Sequence, residues 1–155
     1  MNIDINGMAH VILTVSQFDA ARRFYGSLCT AMGMKPVFDG EQFCYWVGGR
    51  TAIGIEPCDP AHAQERFVQA RVGLHHICLR ARGRDDVDRC AALLREIGAT
   101  IVRGPNESTW APGYYSVLFE DPDGIRLEIN HVPGVGLLAD GASLNPTEGY
   151  GEPRA

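Results

Sequence analysis

The chain has 155 residues, 45% hydrophobic and 21% charged, with a formal net charge of −5; this suits one compact unit, or two small halves sharing a core, and is too short for two full domains. No Lys/Arg-rich run is present, so neither nucleic acid nor an anionic membrane is expected as a partner. The opening "MNIDINGMAH" lacks the basic start and apolar core of a secretory signal, and the five cysteines are odd in number and never spaced C-x-x-C, so the expectation is a cytoplasmic protein with free, mostly buried thiols.

The first element is a strand from His10, "HVILTV", followed by a helix. Ser16 is its expected N-cap, with Asp19 three positions on as a weak capping box. Phe18, Ala21, Phe24, Tyr25, Leu28 and Met32 recur at three- and four-residue steps, which puts them on one apolar stripe and turns Arg22 and Arg23 to water. The helix should end at Gly33. Three strand-like segments follow, "KPVFDG", "QFCYWVG" and "TAIGIE", and residues 57–73 read as a connection with room for a helical turn. The pattern then repeats. "HICLRA" from His76 is a strand, a helix begins around Asp85 or Asp86 with Val87, Cys90, Ala91, Leu94 and Ile97 on its stripe, and Gly98 stops it. "ATIVRG", "YYSVLFE" and "GIRLEINH" complete the second half, with "DPDG" at 121–124 as a turn before the last strand. His76 follows His10 by 66 residues and Gly98 follows Gly33 by 65, the spacing of a duplicated β-α-β-β-β module. Residues 133–155, rich in Gly and Pro, read as an extended tail.

Alternation assigns the faces. Val11, Leu13, Val15, Ile77, Leu79, Ile53, Ile55, Ile125, Leu127 and Ile129 should face helices, leaving His10, Thr14, His76, Cys78, Arg80, Glu56 and Glu128 on the other side. His75 falls on the helix-facing side and is expected to be structural, with His62 and His131 at the surface or supporting. On this reading His10, Glu56, His76 and Glu128 occupy matching places. Imidazole nitrogen and carboxylate oxygen together suit a divalent first-row metal, while the ordinary alternative is a solvated polar sheet face.

The paired modules, the His-led strand openings, "FY" at Phe24 and Tyr25, and above all "DPDGIRLEIN" resemble the vicinal oxygen chelate superfamily, which includes glyoxalase I, extradiol dioxygenases, fosfomycin-resistance enzymes and bleomycin-binding proteins. The resemblance spans residues 8 to about 132. It implies an α+β fold in which two tandem βαβββ modules, about 8–57 and 73–132, form a curved mixed-sheet cleft within a single domain over residues 1–132. It also implies a ligand set of His10, Glu56, His76 and Glu128 for a divalent metal ion such as Zn, Ni, Fe, Mn or Co, and a homodimer with sites at its interface.

The resemblance offers several reactions. A glyoxalase I-like lyase or isomerase acting on a small oxygen-chelating substrate would use Glu128, or Glu56, as its base. Thr14 stands where the bacterial glyoxalase pattern has an arginine, which argues against glutathione. An extradiol-type Fe(II) dioxygenase would need only His10, His76 and Glu128, with Leu118 in place of that family's tyrosine. A metal-free binding protein of the bleomycin-binding type would rely on Tyr45, Trp46 and Trp110 instead. In the loop "GPNESTWAPGYY", residues 104–115, Trp110, Tyr114 and Tyr115 are candidates to line a substrate pocket, and Arg80, Arg103 or Arg126 to take a carboxylate.

Overall fold

A computed structural model describes residues 3–145; the end of the expected tail, 146–155, lies outside the described residues. The chain divides into two compact units, the first built from the residues up to Val68 with Asp121–Gly124, the second from Gln69–Glu120 and from Ile125 onward.

In the first unit β1 (His10–Val15), α1 (Phe18–Ala31), β2 (Lys35–Asp39), β3 (Cys44–Gly48) and β4 (Thr51–Pro57) form a sheet of order β1-β4-β3-β2 with the helix packed on it. β1 runs parallel to β4, from His10 opposite Ala52 to Val15 opposite Pro57. Leu13, Val15, Ile53 and Ile55 are all buried, and so is the α1 stripe of Ala21, Phe24, Tyr25, Leu28 and Cys29. A one-residue slip would turn every one of these strand side chains to the opposite face. Each such side chain gains about 1.5–3 kcal/mol on burial, so the register is pinned by the core.

The start of α1 differs from the sequence expectation. Its N-cap is Gln17 and no side chain within the helix caps it. Instead Asp123, over a hundred residues away in the chain, accepts the backbone N–H of Ser16 at 2.7 Å and of Gln17 at 3.3 Å, and the Ser16 hydroxyl donates to the same carboxylate. A carboxylate at the positive end of a helix dipole is favourable, and it does the work predicted for Ser16. The "DPDG" turn that delivers it closes as expected, with Gly124 N–H on Asp121 O at 3.0 Å and Gly124 at φ +83°. Its other carboxylate, Asp121, takes the buried Tyr25 hydroxyl at 2.8 Å.

The second unit repeats the arrangement with β5 (Ile77–Arg80), α2 (Arg84–Glu96), β6 (Thr100–Ser108), β7 (Tyr114–Glu120) and β8 (Arg126–His131), in the order β5-β8-β7-β6. The expected duplication is therefore real, and the fold is the expected α+β pair of βαβββ modules. Both helices end alike: Met34 N–H reaches Cys29 O at 2.9 Å and Ala99 N–H reaches Leu94 O at 2.8 Å, past Gly33 and Gly98 at φ +78° and +71°. This closure needs a left-handed residue, which glycine supplies. α2 begins slightly before Asp85, capped where Asp86 accepts the Gly83 N–H at 3.1 Å. β6 runs to Ser108, so the first five residues of the expected 104–115 loop are strand, and β5 starts one residue after His76. In the connection from β4 to β5 there is one 3-10 turn, Pro60–His62. Cys29 and Cys44 are buried, Cys58 and Cys90 half-buried and Cys78 exposed, all as free thiols.

Two stability outcomes follow. Asp123→Ala should cost about 1–2 kcal/mol in denaturant melts through loss of the helix-start acceptor, with the denaturant slope unchanged. Burial and the Asp121 carboxylate push the Tyr25 phenol well above its ordinary range. The unfolded chain should therefore release this proton first, and stability should fall as pH rises through about 10. Tyr25→Phe should lower stability at neutral pH by about 1 kcal/mol and lessen that alkaline slope.

Candidate functional site

In the second unit, β5 and β8 pair in parallel with Cys78 opposite Glu128 and Arg80 opposite Asn130. Paired residues share a face, so the side away from α2 carries Cys78, Arg80, Arg126, Glu128 and Asn130. Glu128 is only 4% exposed. Its Oε1 accepts the Tyr114 hydroxyl at 3.0 Å, its Oε2 lies 3.3 Å from His76 Nε2, and Ser116 adds a further hydrogen bond. Burial drives this carboxyl upward, but the hydrogen bonds from His76, Ser116 and Tyr114 outweigh it and hold the group below its ordinary value. Glu128 is thus a buried, ionised carboxylate. The Tyr114 phenol is pushed up, by burial first and then by Cys78 and Glu128, and stays protonated as a donor.

The first unit presents a different surface on the matching face. His10 and Glu56 do lie on the side away from α1, as expected, but they are not adjacent. His10 is opposite Ala52 while Glu56 is opposite Thr14, whose hydroxyl reaches it at 3.4 Å. Four residues of strand, about 13 Å, separate the two positions. The register also corrects the internal match. Cys78 opposite Glu128 corresponds to Ile12 opposite Gly54, and Arg80 opposite Asn130 corresponds to Thr14 opposite Glu56. The counterpart of Glu128 is therefore Gly54, and the counterpart of Glu56 is Asn130. Over Gly54 sit Ile12, Tyr45 and Phe43; a Cβ there would lie 2.6 Å from Ile12 Cδ1 and 2.9 Å from Tyr45 Cδ2. Phe43 stacks on Tyr45 at 5.9 Å, Phe38 leans on Phe43 at 6.0 Å, and the His10 ring meets Tyr45 edge-on at 6.4 Å. Around Glu128 the second module is polar, whereas around the matching Gly54 the first is aromatic, with Thr14 and Glu56 two residues further along the strands.

The remaining sequence candidates divide. Tyr114 belongs to the Glu128 cluster. Tyr115, one residue on, points to the helical side, where its hydroxyl donates to Asp88 at 2.6 Å and Arg84 lies 4.1 Å over its ring, which removes it from the pocket-lining set. Arg126 is committed to Glu120 at 3.2 Å and is buried, so it is not a free carboxylate receptor. Arg80 is exposed beside this face. Trp110 is half-buried, and its carbonyl accepts the Asn145 N–H at 2.8 Å. His75 is not packed under a helix: it is exposed, with its Nδ1 2.7 Å from His76 Nδ1 and 3.2 Å from Gln69 Nε2. Sequence reasoning missed Ser116 and Gln69. Ser116 was legible as the residue two on from Tyr114, hence on the same face; Gln69 left no signal. Among the described residues no group of three or more His, Cys, Asp or Glu stands ready to hold a metal, so His76 and Glu128 are a pair needing further donors.

Residues 7–129 match the Glyoxalase/Bleomycin resistance protein/Dioxygenase superfamily, and the chain belongs to it. The uncharacterised protein YqjT of Bacillus subtilis (strain 168) is 28% identical over 123 residues, covering 79% of this chain and 96% of its own. Among solved structures, a candidate glyoxalase from Bacillus halodurans superposes with a TM-score of 0.73 at 25% identity, over 82% of this chain and 96% of that one. A lactoylglutathione lyase from Agrobacterium tumefaciens shares the fold with a TM-score of 0.58 at 21% identity, over 82% and 94%. No helix among the described residues is long and apolar enough to cross a membrane.

The crowding over Gly54 is testable. Gly54→Ala should cost about 1–3 kcal/mol by overpacking, and Ile12→Val, which removes the nearest methyl, should recover much of it in a double-mutant cycle.

Proposed function

We propose that this protein is a metal-dependent enzyme acting on a small molecule that chelates through adjacent oxygens, with glyoxalase-like lyase or isomerase chemistry. The observation that carries it is the His76–Glu128 pair: a buried carboxylate held ionised, beside an imidazole nitrogen, at the centre of a donor-lined face. The pair suits a divalent metal of the Zn, Ni, Fe, Mn or Co group, with further donors needed to complete its coordination. Such an ion, when bound, supplies Lewis-acid polarisation of a substrate oxygen. The chain's own groups handle the proton. Glu128 is the base that removes a proton from carbon beside a carbonyl and returns it to the neighbouring position, and the protonated Tyr114 hydroxyl steadies the carboxylate between these states. Glu56, aligned with Asn130 and set apart from His10 along the strand, is left out of the proposed metal and proton-transfer roles. A homodimer, as the family resemblance implies, and a cytoplasmic location, as the sequence's opening residues suggest, are part of the same proposal, and neither nucleic acid nor a membrane is.

One observation favours a second chemistry. Gly54 is the counterpart of Glu128 in the first module, and a site with one carboxylate among imidazole donors is the composition used by two-His-one-carboxylate Fe(II) oxygenases. Deuterium exchange at carbon on hemithioacetals and α-hydroxy carbonyl compounds, set against oxygen uptake with catechols, separates the two.

Elemental analysis should find a divalent metal in the purified protein. Glu128→Gln and His76→Ala should each weaken zinc binding by at least about 100-fold, beyond what losing an outer partner costs, while Glu56→Gln should stay near the native value. Protein that takes up no divalent metal at any concentration tested would sink the proposal.

A further inference from the structure

We propose that the substrate of this site is an organic acid whose carboxylate, set apart from its chelating oxygens, is received by Arg80; the chelating end rests on the metal reading above. The open face of the second sheet is built in cross-strand rows. Cys78, Glu128, Leu118 and Arg103 stand opposite one another in one row, and Arg80, Asn130, Ser116 and Asn106 in the next. The rows are two residues of strand apart, about 7 Å. The Tyr114 hydroxyl joins them, taking a hydrogen bond from Asn130 and giving one to Glu128 at 3.0 Å. Of the charged groups on this face, Arg126 is paired with Glu120, and Glu128 is held by its own donors. Arg80 forms no ion pair among the described residues. It lies on β5, directly beside the strand that carries Glu128, whereas Arg103 on β6 is two strands away from that carboxylate. Arg80 is exposed, yet its guanidinium is placed: a Cβ on Gly136 would lie 3.8 Å from Arg80 Nη2 and 3.5 Å from Val132 Cγ1, so the 3-10 turn at Gly136–Leu138 abuts it. Glycine at φ +60° lets the backbone of that turn come so close. An arginine head that is positioned and uncompensated can take a carboxylate through two parallel N–H donors, and it loses little further freedom in doing so. A carboxylate held there stands one row from Glu128. The acid must therefore carry it several bonds from the oxygens that chelate.

The alternative is a neutral substrate, with Arg80 a solvated cation at the rim of the sheet. A matched pair of probes distinguishes them: 2-hydroxyglutarate, which chelates through its hydroxyl and adjacent carboxylate and carries a second carboxylate at its far end, and the twin in which that far carboxylate is an amide. In calorimetric titrations of zinc-loaded protein the acid should bind about 10-fold more tightly than the amide, the scale of a charged hydrogen-bonded pair discounted for exposure. Arg80→Leu should erase the preference by weakening the acid alone, and Arg80→Lys should keep part of it. Arg82→Leu, which removes the same charge from another exposed position, should keep all of it. Zinc affinity should stay at the native value in all three variants, which separates this inference from the metal reading. Glutarate, which lacks the hydroxyl, tests the arginine without a metal: in metal-free protein the Arg80 Nε–Hε signal should shift saturably as glutarate is added. Arg80 is exposed, so its variants should melt as the native protein does. No preference for the acid in the native protein, a preference that survives in Arg80→Leu, or an Arg80 signal indifferent to glutarate overturns the proposal. A saturable response to glutarate in a protein that binds no zinc removes the metal reading and leaves the anion subsite standing.

Discussion

The parallel pairing of the first and last strand of each module governs what this protein can do. A parallel pair sets the side chains of its two strands on shared faces in a fixed longitudinal order. In the first module that order places His10 beside Ala52 and Glu56 beside Thr14; in the second it places Cys78 beside Glu128. The buried branched side chains on the helical face hold the order. Function on the other face inherits a register selected by the core, so chemistry there is rearranged by substitution rather than by sliding.

The two modules share strand order, helix termination and connection, yet their open faces have diverged. Over Gly54 the first module places Ile12 and the stacked Phe43 and Tyr45, with Phe38 tilted against Phe43. Around Glu128 the second gathers His76, Tyr114 and Ser116. A buried carboxylate without donors would take up a proton, and three hydrogen bonds are what keep this one charged. A buried charge is thus held in the second half, while the matching position of the first is packed with apolar and aromatic side chains.

The "DPDG" turn has two tasks beyond reversing the chain. Asp123 meets the N–H groups and hydroxyl at the start of α1, and Asp121 meets the phenol of Tyr25 within the core. Arg66 adds an ion pair to Asp123 at 3.1 Å, although its own exposure keeps that contribution small. The motif that resembles the superfamily in sequence is therefore also a structural clasp of the first unit.

Much of this was legible in the chain. Period-3.6 stripes ending in Gly33 and Gly98, period-2 alternation in the strands and the spacing of the repeat determined the two βαβββ modules and the helical face of each sheet, because those signals are local and the core enforces them. Alternation also contained the separation of Tyr114 from Tyr115, since consecutive strand residues cannot share a face. What it could not contain was anything set between segments. Whether Gly54 or Glu56 aligns with Glu128 depends on inter-strand register, which differs by two residues without changing parity. Asp123 displaces Ser16 as the helix-start acceptor because a contact over a hundred residues away in sequence is available only once the chain is folded. His75 and His76, expected on opposite faces, meet at Nδ1 because the strand begins one residue later and alternation does not yet apply. Sequence alone determined the periodic architecture; only the tertiary structure decided which side chains touch, because those contacts depend on register and long-range closure rather than on period.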